Sequence, residues 1–202
     1  MWIKICGMTT PDAVAAALDA RVDAIGFVFA KSVRQVSPEA ALRLAAPARG
    51  RVRCVAVTRH PQQQDIDEIL RVFNPDVLQT DSADLPLLRL PSELELLPVI
   101  RGAPDESNRL PPRLLFEGPS SGTGVTCDWT AARRVARRTE VVLAGGLSPA
   151  NVAAAIAEVQ PFGVDVSTGV EVRPGVKSPA GIQNFVTAAR DAPHMRGAYD
   201  SV

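Results

Sequence analysis

A chain of 202 residues and 21.5 kDa is long enough for one domain with a sizeable core and short for two independent ones. Its 22 Lys and Arg balance its 22 Asp and Glu, so no long-range field favours nucleic acid or an anionic membrane, and the expected partner is a small molecule. With 46% hydrophobic residues but no stretch approaching about 18 uninterrupted apolar positions, a membrane-spanning helix is not expected either.

Short runs rich in β-branched residues alternate along the chain with segments of helical period. A strand over 2–6 precedes a helix over 11–20, opened by Thr10-Pro11. A strand over 23–29 precedes a helix opened by Ser37-Pro38. A third strand, 51–58, leads to a helix whose Ile66, Ile69, Leu70 and Phe73 share one face. Strands over 76–80, 94–101 and 113–117 follow, but six prolines between 82 and 112 leave room there for only short or irregular helices after strands four and five. The strand over 140–144 precedes a helix opened by Ser148-Pro149, with Val152, Ile156 and Val159 on one face. The eighth strand, 163–167, precedes a last helix, opened by Ser178-Pro179 and carrying Ile182, Phe185, Val186 and Ala189. A hydroxyl followed by proline caps a helix at no cost in needed donors, and it recurs four times. Residues 1–192 are therefore read as one domain and 193–202 as a frayed tail.

Eight βα units can close as a (β/α)₈ TIM barrel or lie open as a doubly wound sheet. Side-chain parity favours the barrel. Lys4 and Cys6 share a face opposite Ile3 and Ile5, Glu117 opposes Leu114 and Phe116, and Asp165 and Ser167 oppose Val164 and Val166. Polar groups gathered on one face near strand ends suit an interior that opens into a barrel mouth at the C-terminal ends of the strands.

Glycine-rich turns follow strands six, seven and eight: Ser121-Gly122-Thr123-Gly124, Gly145-Gly146-Leu147 and Ser167-Thr168-Gly169. Such turns let backbone N–H groups surround a phosphate, and barrels commonly bind phosphate after strands seven and eight. Gly122, Thr123, Gly124, Gly145, Gly146, Ser167, Thr168 and Gly169 are the expected phosphate site. Cys6 ends the first strand with Lys4 on the same face, a cationic neighbour expected to lower the thiol pKa and make a thiolate available. An isolated cysteine is more often a small core residue, but an inward lysine in a barrel strand needs a reason. Glu117 ends an otherwise apolar strand. Facing the mouth it would suit proton donation; its plainer role is that of a strand-end carboxylate pointing into solvent or pairing with an arginine. Lys4 is further expected to bind substrate, and Asp165 either to hydrogen-bond a substrate hydroxyl or to hold an inward lysine. Cys54, Cys127, His60 and His194 are not assigned to catalysis. Three cysteines without CxxC pairing or metal-ligand spacing, and a beginning that lacks the features of a signal peptide, point to a reducing cytoplasm, no disulfide framework and no metal.

In order, Lys4-Ile5-Cys6-Gly7, Gly26-Phe27-Val28-Phe29 with Ser32, Arg34 and Val36, Gly122-Thr123-Gly124 with Asp128-Trp129, Leu143-Ala144-Gly145-Gly146-Leu147, Asn151-Val152, Gly163-Val164-Asp165-Val166-Ser167 and Gly169-Val170-Glu171 with Pro174-Gly175 and Lys177 resemble the phosphoribosylanthranilate isomerase family along nearly the whole chain. The resemblance implies a cofactor-free Amadori rearrangement of a phosphorylated sugar-anthranilate in tryptophan biosynthesis. It implies Cys6 as general base, and Arg34 as the residue that holds the anthranilate part by its carboxylate. A monomer or homodimer is expected.

The chain departs from that pattern in several places. Glu117 stands where the family usually has an aspartic acid as general acid, one methylene longer and of similar intrinsic pKa. A Gln-Leu-His-Gly type block stands here as Leu78-Gln79-Thr80-Asp81, without the histidine, so no role passes to Thr80. Val55-Ala56-Val57-Thr58 replaces the common Val-Gly-Val-Phe, Ser121 replaces a glycine, and Thr168 replaces a common serine. Together these describe a divergent branch. The related phosphoribosylformimino isomerase of histidine biosynthesis is expected to carry an aspartate where Cys6 stands, so Cys6 speaks against it as the sole function and leaves dual activity open. A non-catalytic phosphate-sugar binding barrel would need the glycine turns but neither Cys6 nor Glu117.

Overall fold

The computed structural model describes residues 1–102, 104, 109–118 and 126–193. Eight parallel strands close a barrel in sequence order: β1 (Trp2–Cys6), β2 (Ala24–Val28), β3 (Arg53–Val57), β4 (Val77–Asp81), β5 (Glu95–Arg101), β6 (Arg113–Glu117), β7 (Glu140–Leu143) and β8 (Gly163–Val166). β1 closes the ring against β8, with Lys4 opposite Asp165. The chain is thus a single-domain TIM barrel, as parity suggested.

Among the described residues six helices cover the barrel: α1 (Pro11–Asp19), α2 (Pro38–Ala45), α3 (Gln63–Val72), α4 (Trp129–Ala136), α5 (Val152–Val159) and α6 (Pro179–Asp191). After β4 a 3₁₀ turn, Leu85–Leu87, stands in place of a helix, as the prolines require. The hydroxyls of Thr10, Ser37 and Ser178 accept from the backbone N–H groups of Ala13, Ala40 and Gly181, capping α1, α2 and α6. Ser148-Pro149 does not open α5. Asn151 accepts from the Ser148 N–H through Oδ1 and donates to the Gly146 carbonyl through Nδ2, so its side chain closes a turn and the helix starts only at Val152.

The strands bury both faces. Ile3, Ile5, Ile25, Phe27, Leu114 and Phe116 pack outward on the helices, while Ala24, Val55, Val77, Leu97, Val99, Leu115 and Val142 fill the interior. The interior plug is apolar at mid-height. Against that background Lys4, fully enclosed, marks where polar groups begin. Past β8 a small hairpin, β9 (Glu171–Arg173) with β10 (Val176–Lys177), folds toward the loop after β2, where Gly175 meets Val33: a Cβ on Gly175 would lie 2.8 Å from the Val33 carbonyl oxygen. Among the described residues no helix is long and apolar enough to cross a membrane.

Candidate active site

A cavity of about 240 Å³ opens at the C-terminal ends of the strands, and Cys6, Arg34, Glu117, Asp165, Ser167 and Gly146 are among the residues that line it. Nine residues expected at the site from sequence therefore meet there, these six together with Gly145, Thr168 and Gly169; Gly122, Thr123 and Gly124, like the tail from 194, lie outside the described residues. β7 and β8 stand between β1 and β6 in the ring. The glycine turns thus separate Cys6 on one side from Glu117 on the other.

Lys4 lies one layer below Cys6 and does not line the cavity. Its ammonium sits 2.9 Å from Asp165 Oδ1. A Cβ on Gly26, the residue paired with Cys6 across β2, would come within 3.1 Å of Cys6 Sγ and 3.2 Å of Lys4 Nζ, so the missing side chain leaves the space in which thiol and ammonium meet. Burial works against the Lys4 ammonium, but Asp165 and Cys6 outweigh it and raise its pKa. For Cys6 the expectation of a lowered pKa is corrected. Burial pushes this thiol up, and Lys4 and Lys177 only partly offset that, with Asp165 adding to the rise.

Arg34 is held rather than free. Its Nε and Nη2 donate to the two carboxylate oxygens of Glu171 at 2.6 and 2.8 Å, and Nη2 also reaches Thr168 Oγ1 at 3.1 Å. Lys177 completes the cluster, donating to Glu171 Oε1, the Ser167 carbonyl and Ser167 Oγ. Burial alone would raise the Glu171 pKa, but Arg34 and Lys177 hold it down at about 2. Gly7, with φ +82°, lets the Arg34 stem pass: a Cβ there would lie 2.7 Å from Arg34 Cδ. Gly169 is tighter still, since a Cβ would lie 2.0 Å from the Leu147 carbonyl oxygen. Only glycine lets the turn after β8 press against the turn after β7.

On the far wall Glu117, nearly buried, accepts a hydrogen bond from Arg101 Nη1, and Arg101 Nε donates to Asp81 Oδ1 at 2.9 Å. Gln79, two residues before Asp81 on the same strand face, lines the cavity, and its buried Oε1 finds no partner among the described residues. Thr80, fully buried, donates to Asp84, which also takes the His60 N–H, so this hydroxyl ties loops together instead of facing the mouth. Cys54 and Cys127 are buried free thiols outside the cavity lining, each pushed by burial to about 11. Sequence reasoning assigned no roles to Arg101, Asp81, Gln79, Glu171 and Lys177. The first three end or nearly end inward-facing strands, the same signal that singled out Glu117.

A family model described as N-(5'phosphoribosyl)anthranilate (PRA) isomerase matches residues 3–188. A curated N-(5'-phosphoribosyl)anthranilate isomerase from Brucella canis is 39% identical over 209 residues, covering 94% of this chain and 94% of that protein. Among solved structures, TrpF from Jonesia denitrificans superposes with a TM-score of 0.78 at 37% identity, covering 94% of this chain and 97% of its own. A phosphoribosyl anthranilate isomerase solved in complex with reduced 1-(o-carboxyphenylamino)-1-deoxyribulose 5-phosphate gives a TM-score of 0.73 at 28% identity, covering 94% and 98%.

Proposed function

The chain belongs to the N-(5'-phosphoribosyl)anthranilate isomerase family, and from that premise we propose that it catalyses the Amadori rearrangement of N-(5-phosphoribosyl)anthranilate to 1-(o-carboxyphenylamino)-1-deoxyribulose 5-phosphate, a step of tryptophan biosynthesis. The observation that carries the reading is the placement of Cys6 and Glu117 on either side of the turns after β7 and β8, around one cavity.

A phosphate seated on Gly145, Gly146, Ser167, Thr168 and Gly169 fixes one end of the sugar, and the ribose then spans the mouth. Glu117 gives a proton to the ring oxygen as the C1–O bond breaks, leaving an iminium between C1 and the anthranilate nitrogen. Cys6 thiolate takes the C2 proton, and the C2–H electrons form the C1=C2 bond while the iminium pair returns to nitrogen. The resulting enolamine tautomerises to the ketone. Arg101 fixes the longer Glu117 side chain from one side, with Asp81 on the other edge of the guanidinium. Asp165 faces the cavity where a ribose hydroxyl would lie. Arg34, oriented by Glu171, lines the cavity and is the residue we assign to the anthranilate carboxylate. No cofactor enters these steps. The protein works in the cytoplasm, consistent with its free thiols, as a monomer or homodimer.

The test is turnover. Substrate formed in situ from anthranilate and phosphoribosyl pyrophosphate loses its fluorescence as it isomerises, and purified protein is expected to accelerate that loss. Saturable binding by folded protein without any acceleration would replace the isomerase reading with a phosphate-sugar binding barrel.

A further inference from the structure

A buried lysine in a barrel interior has to be matched by an anion, and Asp165 matches this one. That pair alone would be neutral and self-sufficient, yet the same ammonium also lies against Cys6, in a gap that exists because residue 26 has no side chain. We propose that Lys4, anchored by Asp165 and laid against Cys6 across Gly26, is a positioning residue that favours the anionic, proton-accepting form of the Cys6 sulfur against its burial. The inference rests on Cys6 being the base, and it replaces substrate binding as the role of Lys4, whose side chain is fully enclosed.

The charged groups that act on Cys6 come from four elements. Lys4 lies on its own strand, Asp165 on β8, Lys177 on β10, and Arg34 in the loop after β2. Arg34 and Lys177 are largely spent on Glu171, which takes both. Lys4 is the cation shared between one carboxylate and the thiol, so it is the group whose loss the sulfur should feel most. A positive charge at this range favours an adjacent anion by roughly one to three pK units, so Lys4 offsets part of what burial imposes on the thiol.

The test uses Lys4→Met and Asp165→Asn, with two readouts on the intact protein. The first is the ascending limb of kcat/KM against pH. The second, taken without substrate, is thiolate absorbance near 240 nm, read as the difference from Cys6→Ala. Lys4→Met is expected to move both to higher pH by about one unit or more, with a loss of about tenfold or more in kcat/KM at neutral pH and less at alkaline pH. Asp165→Asn leaves the ammonium with the thiolate as its remaining partner, so both curves are expected to move to lower pH, whatever happens to KM. A folded Lys4→Met whose limb and absorbance stay in place would overturn the proposal, as would an Asp165→Asn that shifts upward or not at all. If Lys4→Met does not fold, Asp165→Asn carries the test. Full activity in Cys6→Ala would instead remove the base assignment, a separate failure, because the absorbance titration needs no turnover.

Discussion

Arg34 and Glu171, 137 residues apart in the chain, meet in a two-pronged ion pair whose guanidinium and carboxylate are both largely sealed from solvent. The pair joins the loop after β2 to the hairpin after β8, and through Thr168 and Lys177 it reaches the residues assigned to phosphate. Glu171→Gln would leave Arg34 and Lys177 without their shared anion. The expected result is a KM raised about tenfold or more, with kcat less affected, since an orienting contact rather than a proton donor is lost. Steady-state kinetics on the variant check the split.

The same carboxylate makes stability depend on acid. Its folded pKa, about 2, lies below its ordinary 4.5, so the unfolded chain takes up the proton first. The stabilisation is therefore complete above the ordinary value and lost as pH falls from there toward 2. Melting wild type and Glu171→Gln side by side should show a gap in Tm at pH 7 that narrows by pH 3.

Gly169 is held to its place by the Leu147 carbonyl, with no room for a methyl group. Gly169→Ala must push the turn after β8 away from the turn after β7. The expected outcome is weaker capture of the phosphorylated substrate, with KM raised about tenfold or more, and binding of inorganic phosphate lowered in parallel. Titration with phosphate as a competitive inhibitor measures the second effect directly.

Glu117 tests whether the longer acid is built into this mouth. Glu117→Gln removes the proton and should cost about 10²–10⁴ in kcat. Glu117→Asp restores the residue usual in the family but pulls the carboxylate back from Arg101. The expected loss is about tenfold, smaller than for Gln, because the acid survives and its placement does not. Rates of the two variants at one pH, compared with wild type, decide it.

Much of this architecture is legible in the chain because local rules and the fold agree. Thr10-Pro11, Ser37-Pro38 and Ser178-Pro179 announce helices, and the alternation in Lys4-Ile5-Cys6 and Gly163-Val164-Asp165-Val166 tells the interior from the exterior before any contact is known. Ser148-Pro149 has the same local signature and fails because the Asn151 side chain competes for the backbone of that turn. Cys6 shows the limit more sharply: a lysine two residues away promises a low pKa, but how deeply the thiol is buried is a property of the closed barrel, and burial prevails. Glu171 and Arg101 escaped for a similar reason. Their importance lies in partners far along the chain, Arg34 for one and Asp81 with Glu117 for the other, which come together only when the ring closes.

The division of labour between Cys6 and Glu117 is most directly measured by following the fluorescence of phosphoribosylanthranilate with wild type, Cys6→Ala and Glu117→Ala, each first shown to melt like the wild type. Rapid decay with wild type and rates at least about a hundredfold lower with either variant are expected. Unchanged decay with a folded Cys6→Ala or Glu117→Ala would contradict the acid–base pair.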